Sequence, residues 1–148
     1  MKPLLRPMEA RDTGQVIALE QRSGMTPWRA SHYDELMSAA ASICLVAEGA
    51  PVVRIVGCIL GRIALPEMEI YKLVVDSSCR RRGLGHEMLV HSLNLGRSLG
   101  ADTCFLEVRE SNLAAQSFYR ALGFEHYGLR PTYYTGPVEA AVLMRLHL

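Results

Sequence analysis

No apolar run in the 148 residues is long enough to span a bilayer, because Arg54, Arg62 and Lys72 break the longest ones. The N-terminal MKPLLRPMEARD lacks the pattern of a secretory signal. Charge of one sign is not in excess: 16 Lys and Arg face 15 Asp and Glu, a net of +1. Without a strong basic field, nucleic acid is not an expected partner, although Arg80, Arg81 and Arg82 form a local cluster. Cysteine is sparse too. Cys44, Cys58, Cys79 and Cys104 form no CxxC pair and no grouping with histidine at metal-ligand spacing. Four free thiols in a reducing, cytoplasmic setting are expected, with no disulfide framework, no metal and no cysteine nucleophile. Repeats, low-complexity segments and linkers are missing, so residues 1–148 are expected to form one domain around one core.

Alternation of short elements is what the chain has instead. Residues 3–8 read as a strand, and Asp12 and Thr13 as the start of a helix ending near Arg22. A second helix is expected over 26–40, with Pro27 near its start. Strands follow at 42–48, 52–64 and 67–76. Gly57 and Gly61 mark a bulge in the second of these, and the third is apolar on both faces near its end. From Leu84 to Leu99, Leu84, Met88, Leu89, Leu93, Leu95, Gly96 and Leu99 share one half of a helix, and Gly100 ends it. A strand is expected over 101–110. Asn112 then caps a helix over 113–122 whose apolar arc is Leu113, Ala114, Ser117, Phe118, Ala121 and Leu122. An antiparallel pair, 124–130 and 138–148, closes the chain around a loop that holds Tyr133 and Tyr134. The order β-α-α-β-β-β-α-β-α-β-β predicts a mixed α/β sheet with helices on both faces.

The stretch YKLVVDSSCRRRGLGH asks for a chemical explanation. It runs from an apolar strand through a basic, glycine-containing turn into a helix. At a helix N-terminus the first N–H groups have no partner within the helix, and the macrodipole presents its positive end. Gly83 and Gly85 let a ligand approach the backbone, and the arginines add charge. These features suit a pyrophosphate. Neither GK[ST] nor GxGxxG is present, so this is not a P-loop or a dinucleotide fingerprint.

Arg80-Arg81-Arg82-Gly83-Leu84-Gly85 fits the pattern [RQ]-x-x-G-x-[GA], and LEVRESNLAAQSFYRALGFE follows downstream. Together the two blocks resemble the GNAT family of N-acetyltransferases. The likeness is greatest to the RimI-like, ribosomal-protein-alanine branch, through Pro27-Trp28 and Arg130-Pro131-Thr132-Tyr133-Tyr134 as well. It covers nearly the whole chain and is most specific from Tyr71 to Phe124. The resemblance implies a mostly antiparallel sheet of about seven strands flanked by about four helices, with acetyl-CoA as co-substrate. It implies that Leu73, Val74 and Val75 offer backbone groups to the pantetheine and thioester. Arg81, Arg82, Gly83, Leu84, Gly85 and His86 would surround the pyrophosphate, and Asn112 would touch the cofactor as well as cap its helix.

Transfer from a thioester needs a neutral amine. A free α-amine, with a pKa near 7.7–8.0, needs less help from a base than a lysine does, near 10.4. Glu107 follows Phe105 near the carboxyl end of an apolar strand, where ligands of open α/β sheets bind. It is the candidate base; the plain alternative is an ion pair with Arg109. Tyr119 lies outside the expected apolar arc, and the family places a tyrosine there beside the CoA sulfur, so it is the candidate acid. Trp28, Tyr133 and Tyr134 are candidates for lining the acceptor site, whereas Glu69 and Lys72 can simply pair with other charges. One departure stands out. The RimI-like branch tends to carry an acidic residue at the position of Ala140, so a contact to a cationic substrate terminus is missing here. The expected activity is direct acetylation of a protein N-terminal α-amine, a ribosomal protein being one possible partner. The rivals are acetylation of a lysine side chain or small amine, and a non-catalytic acyl-CoA sensor that would not need Glu107 and Tyr119.

Overall fold

A computed structural model describes residues 2–148. The elements follow the expected order: β1 Leu4–Pro7, α1 Thr13–Arg22, α2 Ala30–Ser38, β2 Ser42–Glu48, β3 Ile55–Ala64, β4 Glu67–Val75, α3 Leu84–Leu99, β5 Thr103–Arg109, α4 Leu113–Ala121, β6 Glu125–Tyr134 and β7 Glu139–His147. The seven strands make one sheet in the order β1-β2-β3-β4-β5-β7-β6. Every neighbouring pair is antiparallel except β4 and β5, which run parallel.

Two apolar layers sandwich this sheet. On one face Val16, Leu19, Tyr33 and Leu36 from α1 and α2 pack on Val46, Cys58, Leu60 and Val74. On the other, Leu84, Met88, Leu89 and Leu93 from α3 and Tyr119 from α4 pack on Ile59, Met68, Ile70 and Leu106. The buried thiols of Cys58 and Cys104 are part of these layers, and loss of water pushes both pKa values up to about 12. Among the described residues, no helix is long and apolar enough to cross a membrane.

Three boundaries differ from expectation by three residues or more. α2 begins at Ala30, not Thr26, because Pro27 and Trp28 stay extended ahead of it. β3 begins at Ile55, with Val52 and Val53 exposed before it. β6 runs on to Tyr134, so Tyr133 and Tyr134 end a strand rather than sit in a loop; an irregularity between Arg130 and Tyr134 hid that continuation.

The feature that organises the centre is a bulge in β4. Leu60 of β3 faces Lys72, and Gly61 faces Ile70, so Tyr71 has no opposite number. Gly61, one of the two glycines expected to mark a bulge in β3 itself, instead faces this bulge of the partner strand: a Cβ there would lie 2.3 Å from the Glu69 carbonyl oxygen. The bulge of β3 itself lies beside Gly57: Ala47 faces Gly57 and Glu48 faces Ile55, so Val56 has no partner on β2. Gly57 also makes room for α3, since its Cβ would meet Met88 at 3.0 Å. In β4 the extra residue reverses the side-chain alternation. Met68 and Ile70 point into the α3–α4 layer, whereas Val74 points into the α1–α2 layer. This accounts for the apolar character of both faces near the end of the strand.

The bulge also ends a pairing. β4 and β5 match from Glu67 opposite Thr103 to Ile70 opposite Leu106, and there the register stops. Beyond it, Leu73, Val74 and Val75 remain paired to β3 alone, while Glu107, Val108 and Arg109 remain paired to β7 alone. The sheet therefore opens at its middle, toward the carboxyl ends of both strands.

Candidate active site

At the end of β4, Asp76 accepts from the Ser78 amide at 3.0 Å and from Arg22 Nη2 at 2.7 Å. The Ser78 amide, together with Arg22, holds the buried carboxyl down to about 2. This anchor fixes the short helical turn Ser77–Cys79 that starts the basic loop. Arg80 folds back, its Nε donating to the Val75 carbonyl at 3.1 Å, so that carbonyl is already engaged. Arg81 and Arg82 point into solvent. Arg81 has a φ of 62° and Gly83 a φ of 81°, both left-handed, which turns the chain sharply into α3.

Gly83 is the N-cap of α3, and no side chain caps this helix. The first amides, from Leu84 onward, are left available, while the Leu84 side chain is buried in the core. His86 is exposed on the first turn. A Cβ at Gly85 would stand 3.5 Å from Val75 Cγ2 and 3.7 Å from the Phe118 ring, filling the space between the open end of β4 and α4. An uncapped helix start, two left-handed residues, free guanidinium groups and an open strand edge fit a diphosphate bearing a slender pantetheine arm. Asn112 caps α4 as expected, accepting from the Ala115 amide at 3.1 Å.

Glu107 is the first residue of β5 beyond the last β4 pair, on the sheet face opposite α3 and α4. It is half-buried and lines a cleft of about 320 Å³ with Glu69, Tyr71, Phe105, Tyr127 and Arg130. Its ion-pair partner is Arg130 on β6, at 3.2 Å, and not Arg109. Arg109 is committed elsewhere: it donates to Glu139 at 3.1 Å and stacks over Tyr134 at 4.4 Å. Burial of Glu69, then repulsion from Glu107, raises the Glu69 pKa. Tyr133 lies beside Glu107, with Arg130 4.9 Å over its ring.

Tyr119 departs from expectation. The buried face of α4 is Gln116 and Tyr119, flanked by Ala115, Phe118 and Leu122, while Leu113, Ala114, Ser117 and Ala121 face solvent. The helix is therefore rotated away from the expected arc. Gln116 makes this possible, because its amide donates to the Arg109 and Glu110 carbonyls, so a polar side chain is satisfied inside. Tyr119 is 8% exposed and packs edge-to-face on Phe118 and Phe124. Desolvation drives its phenol pKa well above the ordinary value, so the hydroxyl keeps its proton. Glu107 and Tyr119 thus flank the opened strands from opposite layers.

Trp28 is half-buried, 5.9 Å from the Tyr71 ring, and lines a second cleft of about 280 Å³ with His32, Glu35, Arg62 and Tyr71. Arg62 and Tyr71 are shared by both clefts. Sequence reasoning did not find Tyr71, Phe105 or Tyr127. The signal for Tyr71 was the change of apolar parity along β4. Phe105 and Tyr127, whose rings meet at 5.8 Å, lie on different strands and carried no local signal.

Fold, opened sheet and basic turn together define an acyltransferase class, and residues 13–124 match the Acetyltransferase (GNAT) family. The chain belongs to that family and is an acetyl-CoA-dependent N-acetyltransferase. It is 29% identical over 142 residues to the [ribosomal protein bS18]-alanine N-acetyltransferase of Escherichia coli, covering 94% of this chain and 93% of that protein. An uncharacterized Mycobacterium leprae protein is 35% identical over 124 residues, but there the chain spans only 34% of the relative's length. The crystal structure of the E. coli ribosomal-protein-S18-alanine enzyme superposes with a TM-score of 0.86 at 26% identity, covering 98% of this chain and 93% of that one. Ard1 from Thermoplasma volcanium superposes with a TM-score of 0.90, also at 26% identity, over 100% and 99% of the two chains.

Proposed function

We propose that this enzyme acetylates the α-amine of a protein N-terminus, in the manner of the ribosomal-protein-alanine enzymes it resembles. The observation that carries the reading is the position of Glu107. A half-buried carboxylate stands at the first residue past the β4–β5 pairing, in a cleft open to an acceptor. Bound acetyl-CoA supplies the acetyl group as an activated thioester. Leu73, Val74, Arg81, Arg82, Gly83, Leu84, Gly85 and His86 hold it along the open edge and the start of α3, with Asn112 nearby. Glu107 takes the proton from the acceptor ammonium, directly or through water. As the C–S bond breaks, Tyr119 gives its proton to the departing sulfur, and the second proton that the acceptor nitrogen loses on becoming an amide restores the phenol. Trp28, Tyr133 and Tyr134 line the path of the acceptor.

An α-amine suits this machinery because it deprotonates near neutral pH and asks little of one carboxylate. Ala140 brings no acid to the cleft, and its neighbour Glu139 is occupied by Arg109 and the Ser111 amide. Recognition of a cationic terminus therefore falls to Glu107 and Glu69, and the preferred first residue can differ from that of the ribosomal enzymes. The test is a panel of peptides with free or blocked N-termini, assayed for thiol release. Release only with free N-termini is expected. Activity confined to polyamines or to lysine side chains overturns the reading, and no release with any amine supports the sensor.

A further inference from the structure

An ion pair that the transfer chemistry does not use is buried on the α1–α2 side of β4. Glu20 is 0% exposed and Lys72 7% exposed. The Lys72 ammonium donates to Glu20 Oε1, and the Tyr33 hydroxyl donates to Glu20 Oε2. The same groups reach the Thr26–Trp28 segment. Lys72 Nζ donates to the Thr26 carbonyl at 3.3 Å, and the Trp28 amide donates to the Tyr33 hydroxyl at 3.1 Å. Lys72 Nζ also lies 4.6 Å from the centre of the Trp28 ring. The segment contains Pro27 and belongs to no helix, so these contacts, with the packing of the Trp28 ring against Tyr33 at 5.3 Å and Tyr71 at 5.9 Å, give it its shape.

Stability alone does not call for such charges, since a buried ion pair replaced by apolar residues of similar volume is often no less stable. Its geometry does have a use. Lys72 follows the bulged Tyr71, and the reversal of the strand there turns the ammonium toward Trp28. Trp28 and Tyr71 together wall the cleft that continues from the Glu107 cleft past Arg62.

We propose that Lys72 is a positioning residue: held by Glu20 and Tyr33, it fixes Trp28 as the wall along which the acceptor chain runs after its first residue. The role of that wall rests on the acceptor reading above; the hold on Trp28 does not. Trp28 is the only tryptophan, so its emission reports this segment alone.

The experiment compares wild type with Lys72→Met and with the milder Tyr33→Phe, by acrylamide quenching of emission and by kinetics on a hexapeptide beginning with alanine. In Lys72→Met the emission moves to the red, and the quenching constant rises about twofold as the cation–π and Thr26 contacts go. The peptide KM rises about tenfold, while kcat and the acetyl-CoA Kd stay within about threefold. Tyr33→Phe moves the same readouts in the same directions by less. Unchanged quenching in folded Lys72→Met overturns the proposal, as does a loss that falls on kcat or on acetyl-CoA binding. If Lys72→Met does not fold, Tyr33→Phe decides. If neither folds, the network is a stability element and the proposal fails. A wild type that ignores the peptide defeats the acceptor reading, while quenching still decides whether Lys72 holds Trp28.

Discussion

Arg130 Nη1 on β6 stands 3.2 Å from Glu107 Oε1 on β5, across the strand β7 that separates them in the sheet. The guanidinium is about half exposed, so the pair contributes little to stability, roughly 0–1 kcal/mol. An incoming ammonium can displace it without a large cost. Glu107 therefore has a resting partner and, on this reading, a working one.

Glu107→Gln keeps the size of the side chain and removes the base. At pH 7 kcat is expected to fall about a hundredfold, with the acetyl-CoA Kd unchanged. The deficit should shrink as pH rises past about 8, because the α-amine then deprotonates without help. Rate measurements from pH 6.5 to 9.5 check this, and a deficit independent of pH counts against proton abstraction.

Tyr119→Phe removes only the hydroxyl and retains the packing on Phe118 and Phe124. Since burial raises the phenol pKa, Tyr119 stays protonated throughout the neutral range and is able to donate there. A fall in kcat of about a hundredfold, with little change in Tm, is expected. Stopped-flow or steady-state thiol release would measure it, and normal turnover removes Tyr119 from the chemistry.

Gly83→Ala places a methyl on a left-handed residue with nothing within 4 Å of it. The cost comes from conformation, about 1–2 kcal/mol, and not from a clash with protein. Calorimetry should show acetyl-CoA affinity reduced by about tenfold or more, with Tm lower by a few degrees. Unaltered affinity means the cradle lies elsewhere.

Asp76→Asn tests the anchor of the basic turn. The native carboxyl is depressed from 3.8 to about 2, so it contributes stability that is fully present above pH 4 and lost as pH falls toward 2. At pH 7 the variant should unfold about 1–2 kcal/mol more easily than wild type, the two converging near pH 2. Urea denaturation at several pH values reads this difference directly, and a gap that persists at pH 2 argues for a role other than the charge.

Much of this molecule was legible before folding was considered. α3 was bounded correctly at Leu84 and Leu99, because a long amphipathic period with a glycine at its end leaves few alternatives. The Asn112 cap and the element order followed from equally local rules. α4 was misjudged, because its burial is decided by two carbonyls that Gln116 reaches in space. Glu20 escaped notice for a similar reason. It shares a helix face with Val16 and Leu19, yet its partners, Lys72 and Tyr33, lie 52 and 13 residues further along the chain. Glu107 was readable as a carboxylate in an apolar strand, but its partner Arg130 depended on how β6 and β7 register.

The single unmatched residue in β4 makes that strand a divider with two jobs. Upstream of Tyr71, Glu67 and Glu69 line the cleft that holds Glu107; downstream, the backbone is unpaired on its β5 side. Deleting Tyr71 would do more than shorten the strand. Lys72 would keep its present face, now directly after Ile70, but the β4–β5 ladder could run on past Leu106 and the opening at the middle of the sheet would close.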